Sequence, residues 1–363
     1  MITVPISAPT ISKQDIAAVT DCLESGWISS AGPAIDKFGL VFARLVGAKY
    51  ALPVATGTAA LHLALLALRI KTQDEVIVPA FTFVSPASMV AALGAKPVFV
   101  DVLPNHVVMN PTEVEKKVTP RTRAIIVVHL YGYPVELSPI LALAKKHHLA
   151  VIEDCAEALG ARYRGKQVGS FGDIACFSFY ANKFITTGEG GMITTNNKDL
   201  FQKVRLYCDH GMTKKRRYYH RVVGFNYRMT AMQASLGLSQ LKRLPRFMRQ
   251  RQQILATYQK QLKPVPEIEW LKPLPQTQPV NWLTTCLLPN QTTRNRLMAF
   301  LQDKGVETRK VFFPIPGMPP YPTSQHFPWT QSVSERGLSL PTFTDLTDRQ
   351  IRFICDQIQA FFD

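Results

Sequence analysis

Short apolar, β-branched runs alternate with longer amphipathic stretches from about residue 13 to 195. The runs are VIVP at 76–79, PVFVDV at 97–102, AIIVVH at 124–129, AVIED at 150–154, ACFSF at 175–179 and GMITT at 191–195. Strands apolar on both faces are buried on both faces, and intervening helices join such strands in parallel. The pattern predicts an α/β domain whose mostly parallel central sheet is covered by helices. In sheets of this kind ligands gather at the carboxyl ends of the strands.

Beyond residue 200 the pattern changes. Helical periodicity runs over about 230–262, followed by the Pro-rich KPVPEIEWLKPLPQTQP, a strand-like WLTTCLL, a helix-like TTRNRLMAFLQDKG, the Pro-rich FFPIPGMPPYP and a last helix from about Asp348. We place the change of domain within 245–265, which gives a large domain over 1–250, including an N-terminal arm, and a smaller α+β domain over 251–363. At 363 residues the chain is long enough for both. No internal repeat is apparent.

Composition narrows the function classes. Hydrophobic residues are 46% and charged residues 19%, a globular balance. No secretory leader pattern and no membrane-spanning apolar stretch is present, so a cytoplasmic protein is expected. Cysteines 22, 155, 176, 208, 286 and 355 lack ligand spacing, which argues for reduced core thiols rather than a metal centre or a disulfide framework. The net charge of +16 favours an anionic partner: nucleic acid, an acidic membrane surface or a phosphorylated small molecule. Much of the excess lies between Lys203 and Arg251, including Lys214, Lys215, Arg216 and Arg217, where a solvated loop and a polar helix face are an equally good account. The chain carries no helix-turn-helix or zinc-finger signature, which leaves a nucleic-acid-binding regulator as a distant competitor.

Five segments carry candidate chemistry. Ser178 to Gly191 (SFYANKFITTGEGG) runs from a strand end through the single lysine Lys183 into a glycine cluster; an amine desolvated there becomes nucleophilic near neutral pH and can condense with an aldehyde. Asp154 and Glu157 close an apolar run at the same rim. Asp154 reads either as a carboxylate facing the ring nitrogen of pyridoxal 5′-phosphate (PLP) or as a helix N-cap. Gly57, Thr58 and Ala59 open a helix with small residues whose N–H groups suit a phosphate, although no P-loop lysine follows and an ordinary capped helix looks the same. Phe83 follows the VIVP strand and offers either an aromatic face or a core side chain. Asn226, in GFNYRMT at 224–230, either caps the next helix or reaches a phosphate of its own or a neighbouring subunit.

In this order the five segments resemble the nucleotide-sugar aminotransferases of the DegT/DnrJ type, and the likeness covers nearly the whole chain. It is carried by HLYGYPVELSPI at 129–140, EDCAEALGARYRGKQVGSFGDIACFSFYANKFITTGEGGM at 153–192 and VVGFNYRMTAMQASLGLSQL at 222–241. The resemblance implies a fold-type I PLP-dependent transferase with pyridoxamine 5′-phosphate (PMP) as its intermediate form. It makes Lys183 the Schiff-base lysine and Asp154 the partner of the pyridine nitrogen. Thr58, Ala59, Ser178 and Asn226 become phosphate ligands, Asn226 from the other subunit of a homodimer, and Phe83 the ring-stacking residue. Glu157 falls near the ring hydroxyl or the substrate, at a position that is Gln or His in many relatives. The implied reaction moves an amino group from L-glutamate to C4 of a nucleotide-linked 4-keto-6-deoxyhexose, foremost the GDP-linked 4-keto-6-deoxy-D-mannose, with UDP- or dTDP-linked sugars or amination at C3 as alternatives. A family branch that dehydrates has histidine in place of the lysine, so Lys183 speaks for transamination. One departure bears on the substrate: a branch pattern FFYPIHxMPPY reads FFPIPGMPPY here, and Pro316 removes an imidazole.

Overall fold

Val76 to Val78 and Ala124 to Val127 are fully excluded from solvent, as strands packed on both faces must be. In the computed structural model, which describes residues 4–213 and 216–363, they lie in interior strands of a seven-stranded sheet; Lys214 and Lys215 fall outside the described residues. The strands are β1 (Tyr50–Val54), β2 (Glu75–Pro79), β3 (Lys96–Val100), β4 (Thr122–Val128), β5 (Ala150–Asp154), β6 (Ile174–Ser178) and β7 (Gly191–Thr195), in the order β1-β7-β6-β5-β4-β2-β3. Only β7 runs against its neighbours, pairing antiparallel with both β1 and β6. The carboxyl ends of the other six strands therefore share one rim.

The helices around this sheet are set by local signals. Gly57–Ala67 starts at Thr56, whose hydroxyl accepts from the Ala59 N–H, and its apolar residues are buried almost all round because the helix sits inside the layer. Lys13–Glu24 opens with a capping box between Ser12 and Asp15. Asp15 is then held by Gln240 and paired with Arg243, which ties this first helix to the distant 231–243 region. Burial pushes the Asp15 carboxyl up, but bonds from Ser239 and Ser12 and the Arg243 charge outweigh it, and the net pKa is lowered.

The helical stretch predicted over 230–262 is two helices, Ala231–Leu241 and Leu244–Gln261, with Pro245 in the first turn of the second. The second helix serves two cores: Leu244 and Phe247 pack under the large sheet, and Ile254 and Tyr258 pack with the C-terminal elements. Those elements form a smaller antiparallel sheet, Glu269–Trp270, Thr284–Leu287, Gly337–Leu340 and Arg309–Lys310, backed by Gln291–Asp303 and Asp348–Phe362. The α/β fold-type I architecture expected from the sequence is present, with this smaller C-terminal sheet. Two features of the basic stretch differ from a plain solvated loop. Met212–Thr213 and Arg216–His220 pair as an antiparallel hairpin, and Arg251 is only 2% exposed. All six cysteines are free and buried. Among the described residues no helix is long and apolar enough to cross a membrane.

Candidate active site

Segments at the carboxyl ends of β1, β2, β4, β5 and β6 enclose a cavity of about 450 Å³ at the common rim. Its wall takes Thr56, Gly57 and Thr58 after β1, Phe83 and Ser85 after β2, Asp154 and Glu157 from the end of β5, and Ser178 and Lys183 from the end of β6. Gly57 is required by proximity: a Cβ there would stand 2.9 Å from the Ser178 Cβ. The helix start is thus pressed against the end of β6, and Gly57 and Thr58 line the cavity at the positive end of the helix dipole. The Thr58 and Ser85 hydroxyls are 2.9 Å apart.

Lys183 follows a turn in which its N–H donates to the Tyr180 carbonyl. Its Nζ lies 3.4 Å from Glu157 Oε1 and 4.0 Å from the centroid of the Trp282 ring. Burial lowers the lysine pKa, while the Glu157 and Asp154 carboxylates oppose that trend, so the amine is closer to its neutral, nucleophilic form than a surface lysine. Burial raises both acids in turn, with Lys183 opposing the rise. Asp154 Oδ1 accepts from the Ala156 N–H at 3.0 Å, a turn bond and not a helix cap, since no helix follows. A buried carboxylate with a raised pKa is best satisfied by a cation brought beside it. Glu157 Oε2 accepts from the Tyr131 N–H at 2.9 Å.

Of the sequence-predicted residues, Lys183, Asp154, Glu157, Ser178, Gly57, Thr58 and Phe83 come together. Phe83 is 53% exposed at the mouth and 5.9 Å from the Phe312 ring, so it is not a core side chain. Ala59 is buried behind the helix start, its N–H engaged by Thr56. Asn226 lies outside this chain's own cavity, where its Oδ1 accepts from Arg228 Nε at 2.9 Å. Pro316 is half-buried and does not line the cavity.

The sequence reading missed Trp282, Arg309, Phe312 and Tyr131. The first three come from the C-terminal third and line the cavity. Tyr131 stacks between Trp282 and Phe312 at centroid distances of 5.8 and 5.6 Å, and it holds a left-handed backbone, φ +52°, of the kind that surrounding structure must over-determine. A larger hollow of about 650 Å³ opens beneath the basic hairpin among Arg205, Arg216, Arg221 and Arg228. Among the described residues no lysine lines it, so size alone does not mark the reacting centre. His129, Glu153 and Cys155 also cluster within 4.8 Å, but hydrogen bonds already engage the His129 nitrogens and both Glu153 oxygens, and burial keeps Cys155 a thiol.

An amine poised between carboxylates, beside a helix N-terminus lined with hydroxyls and under an exposed aromatic ring, suits a flat, phosphorylated aldehyde. Comparison with known proteins agrees. Residues 9–359 match the model of the DegT/DnrJ/EryC1/StrS aminotransferase family. The GDP-perosamine synthases of Escherichia coli O157:H7 and Caulobacter vibrioides are 41% and 42% identical to the chain, each over 99% of it and over 98% and 97% of their own length. Spr1654 from Streptococcus pneumoniae, solved in a PLP form and a PMP form, superposes with TM-score 0.94 at 27% identity, covering 99% of this chain and 98% and 97% of those chains. The chain belongs to the DegT/DnrJ/EryC1/StrS family and is a PLP-dependent sugar aminotransferase.

Proposed function

We propose that the protein moves the amino group of L-glutamate to C4 of GDP-4-keto-6-deoxy-D-mannose, giving GDP-perosamine, as a step toward bacterial surface polysaccharide. The observation that carries this reading is the near full-length likeness to GDP-perosamine synthases at 41–42% identity. The residues of the cavity fit the cofactor. Lys183 is the attachment point. Asp154 keeps the proton on the pyridine nitrogen, and Glu157 stands beside Lys183, toward the ring hydroxyl or the substrate. The N–H groups at Gly57 and Thr58 and the Thr58 and Ser178 hydroxyls take the phosphate, with Ala59 behind them, and Phe83 covers the ring. Asn226, outside its own chain's cavity, completes the phosphate site of a second copy in a homodimer.

PLP supplies, when bound, an aldehyde for the amine and a ring that accepts electrons. Lys183, once displaced by glutamate, takes the proton from the carbon bearing the amino group and returns it on the way to 2-oxoglutarate. In the second half, the same lysine returns a proton at C4 of the sugar. Asp154 keeps its charge through both halves because the protonated nitrogen offsets the burial that raises its pKa.

The test supplies GDP-, UDP- and dTDP-linked 4-keto-6-deoxy sugars separately with glutamate and PLP, identifying products by mass and NMR. Amination at C4 of the GDP-sugar is expected. Turnover of only a UDP- or dTDP-sugar, or amination at C3, overturns the substrate assignment, and an unimpaired Lys183→Ala variant overturns the site assignment.

A further inference from the structure

We propose that Trp282 is a positioning residue for Lys183: its indole face, opposite the Glu157 carboxylate, forms the berth that the lysine amine occupies whenever it is not bonded to the cofactor. The inference rests on Lys183 being the attachment point. It adds a requirement that reading lacks, because a lysine displaced in each half reaction needs a defined place from which to act and to return.

The geometry is specific. Lys183 Nζ stands 4.0 Å from the centroid of the Trp282 ring, within the range of a strong cation–π contact, and 3.4 Å from Glu157 Oε1. One bond holds the ring and two more hold the backbone that carries it. Its Nε1 donates to the Asn182 carbonyl at 2.9 Å, one residue before the lysine. Its own carbonyl accepts from Arg251 Nη1 at 2.6 Å, and the Arg251 guanidinium lies 4.7 Å from the Phe184 ring centroid, one residue after the lysine. Nearby, the Val280 N–H donates to the Gly132 carbonyl, and a Cβ on Gly132, at φ +88°, would meet Val280 O at 1.9 Å. The far ring neighbour, Tyr131, presents its N–H to Glu157, so ring and carboxylate are located by one short segment. Three stretches distant in sequence, 131–132, 182–184 and 280–282, are thereby locked around one amine.

Trp282 can act on that amine only through its π face, since its N–H is already used. A π face favours the ammonium form, whereas burial favours the neutral form, so the two roles of the ring have opposite signs. The charged or titratable groups facing the amine or its cavity are Glu157, Asp154, Arg251, Arg309, Glu189, Tyr180 and Cys176, with Tyr131 acting through Glu157.

Full-length apoenzyme, prepared from holoenzyme, is mixed with PLP across a pH series, and covalent attachment to Lys183 is timed by absorbance. Condensation, in which the amine's two hydrogens leave with the aldehyde oxygen as water, needs the neutral amine, so the rate climbs through the lysine pKa. Trp282→Leu keeps an apolar wall but removes the π face. Its rate midpoint is expected to move down by roughly half to one and a half pH units, the size of a partly desolvated cation–π contact. Trp282→Phe, with a smaller face, is expected to move it down by less than half as much. A midpoint that stays put or moves up in Trp282→Leu overturns the proposal, the upward shift marking a ring that only excludes water. If Trp282→Leu does not fold, an unmoved or raised midpoint in Trp282→Phe overturns it. Covalent attachment persisting in Lys183→Ala is a separate outcome, which removes the attachment assignment itself.

Discussion

Replacing Glu153 by glutamine tests how the acid-bearing end of β5 is held. Glu153 is completely buried beside Asp154, and its two oxygens take four donors: Oε1 accepts from the N–H groups of Phe171 and Gly172 at 2.8 and 2.7 Å, and Oε2 accepts from Gly169 N at 2.8 Å and His129 Nε2 at 3.2 Å. The Val135 N–H donates to His129 Nδ1, so the imidazole proton must sit on Nε2 and point at the glutamate. A glutamine has one acceptor oxygen. In either orientation its NH₂ faces two of the four donors, and a change of tautomer at His129 would only set the problem against Val135. Two orphaned buried donors cost about 2–6 kcal/mol. With unfolding entropy scaling with chain length, that corresponds to a fall in Tm of roughly 3–8 °C. Burial raises the Glu153 pKa, but the bonds from His129, Gly172 and Gly169 outweigh it and the net shift is downward. A depressed carboxylate stabilises the fold above its unfolded pKa of about 4.3 and loses that contribution as pH falls through the folded value. The gap between wild type and Glu153→Gln should therefore be constant above about pH 5 and should narrow below about pH 4. Calorimetric scans of both proteins across that range decide the matter. A variant melting within about 1 °C of wild type at pH 7 would refute this account of the clamp.

Two further outcomes follow from the cavity. Asp154→Asn keeps the turn bond to Ala156 but removes the charge, and the glutamate half reaction, followed by conversion of PLP to PMP absorbance, should slow on the order of 10²–10³-fold with stability little changed; a change under threefold would remove Asp154 from its role. Gly57→Ala forces a methyl to within 2.9 Å of the Ser178 Cβ, which pushes the helix start off the end of β6. At about 1–3 kcal/mol of overpacking, PLP affinity measured by titration of apoenzyme should weaken about 5- to 150-fold, and an unaltered affinity would show that the helix start does not hold the phosphate.

The large sheet was legible where burial on both faces erased alternation: β2 to β7 lie within a few residues of their predicted runs. The missed strands were those without that signal. Tyr50–Val54 is an edge strand, half-buried over its first residues and interrupted by Pro53, so it reads as a turn. Gly337–Leu340, although central in the small sheet, is four residues bounded by a helix and a proline, too short to show a period. Charge in the 203–251 stretch was legible only as a sum. Arg251 and Arg243 are structural, one donating to a buried carbonyl and one paired with Asp15, while Arg216 and Arg217 are exposed on the hairpin. Nothing in an arginine's neighbours along the chain says whether an acceptor will be folded against it.

The same distinction between local and assembled signals governs the site. Lys183, Asp154, Ser178 and Gly57 could be read because each sits within five residues of a strand's carboxyl end, and the rule that places ligands there needs only the strand. Trp282, Arg309 and Phe312 follow no such rule. They arrive from about 100 or more residues downstream of Lys183, and what brings Trp282 to the amine is a set of hydrogen bonds that each end on a backbone carbonyl: Val280 to Gly132, Trp282 to Asn182, Arg251 to Trp282. None involves a side-chain type that marks its partner in sequence. Trp282 opens a strand-like run, WLTTCLL, and its hydrophobicity is fully accounted for by that run, so composition gave no reason to separate it from the core. The reacting groups are thus encoded locally, whereas the groups that hold them at the right distance are encoded in the packing of one segment on another. A substitution at Trp282 or Gly132 should accordingly disturb Lys183 as directly as a change to the lysine's own loop.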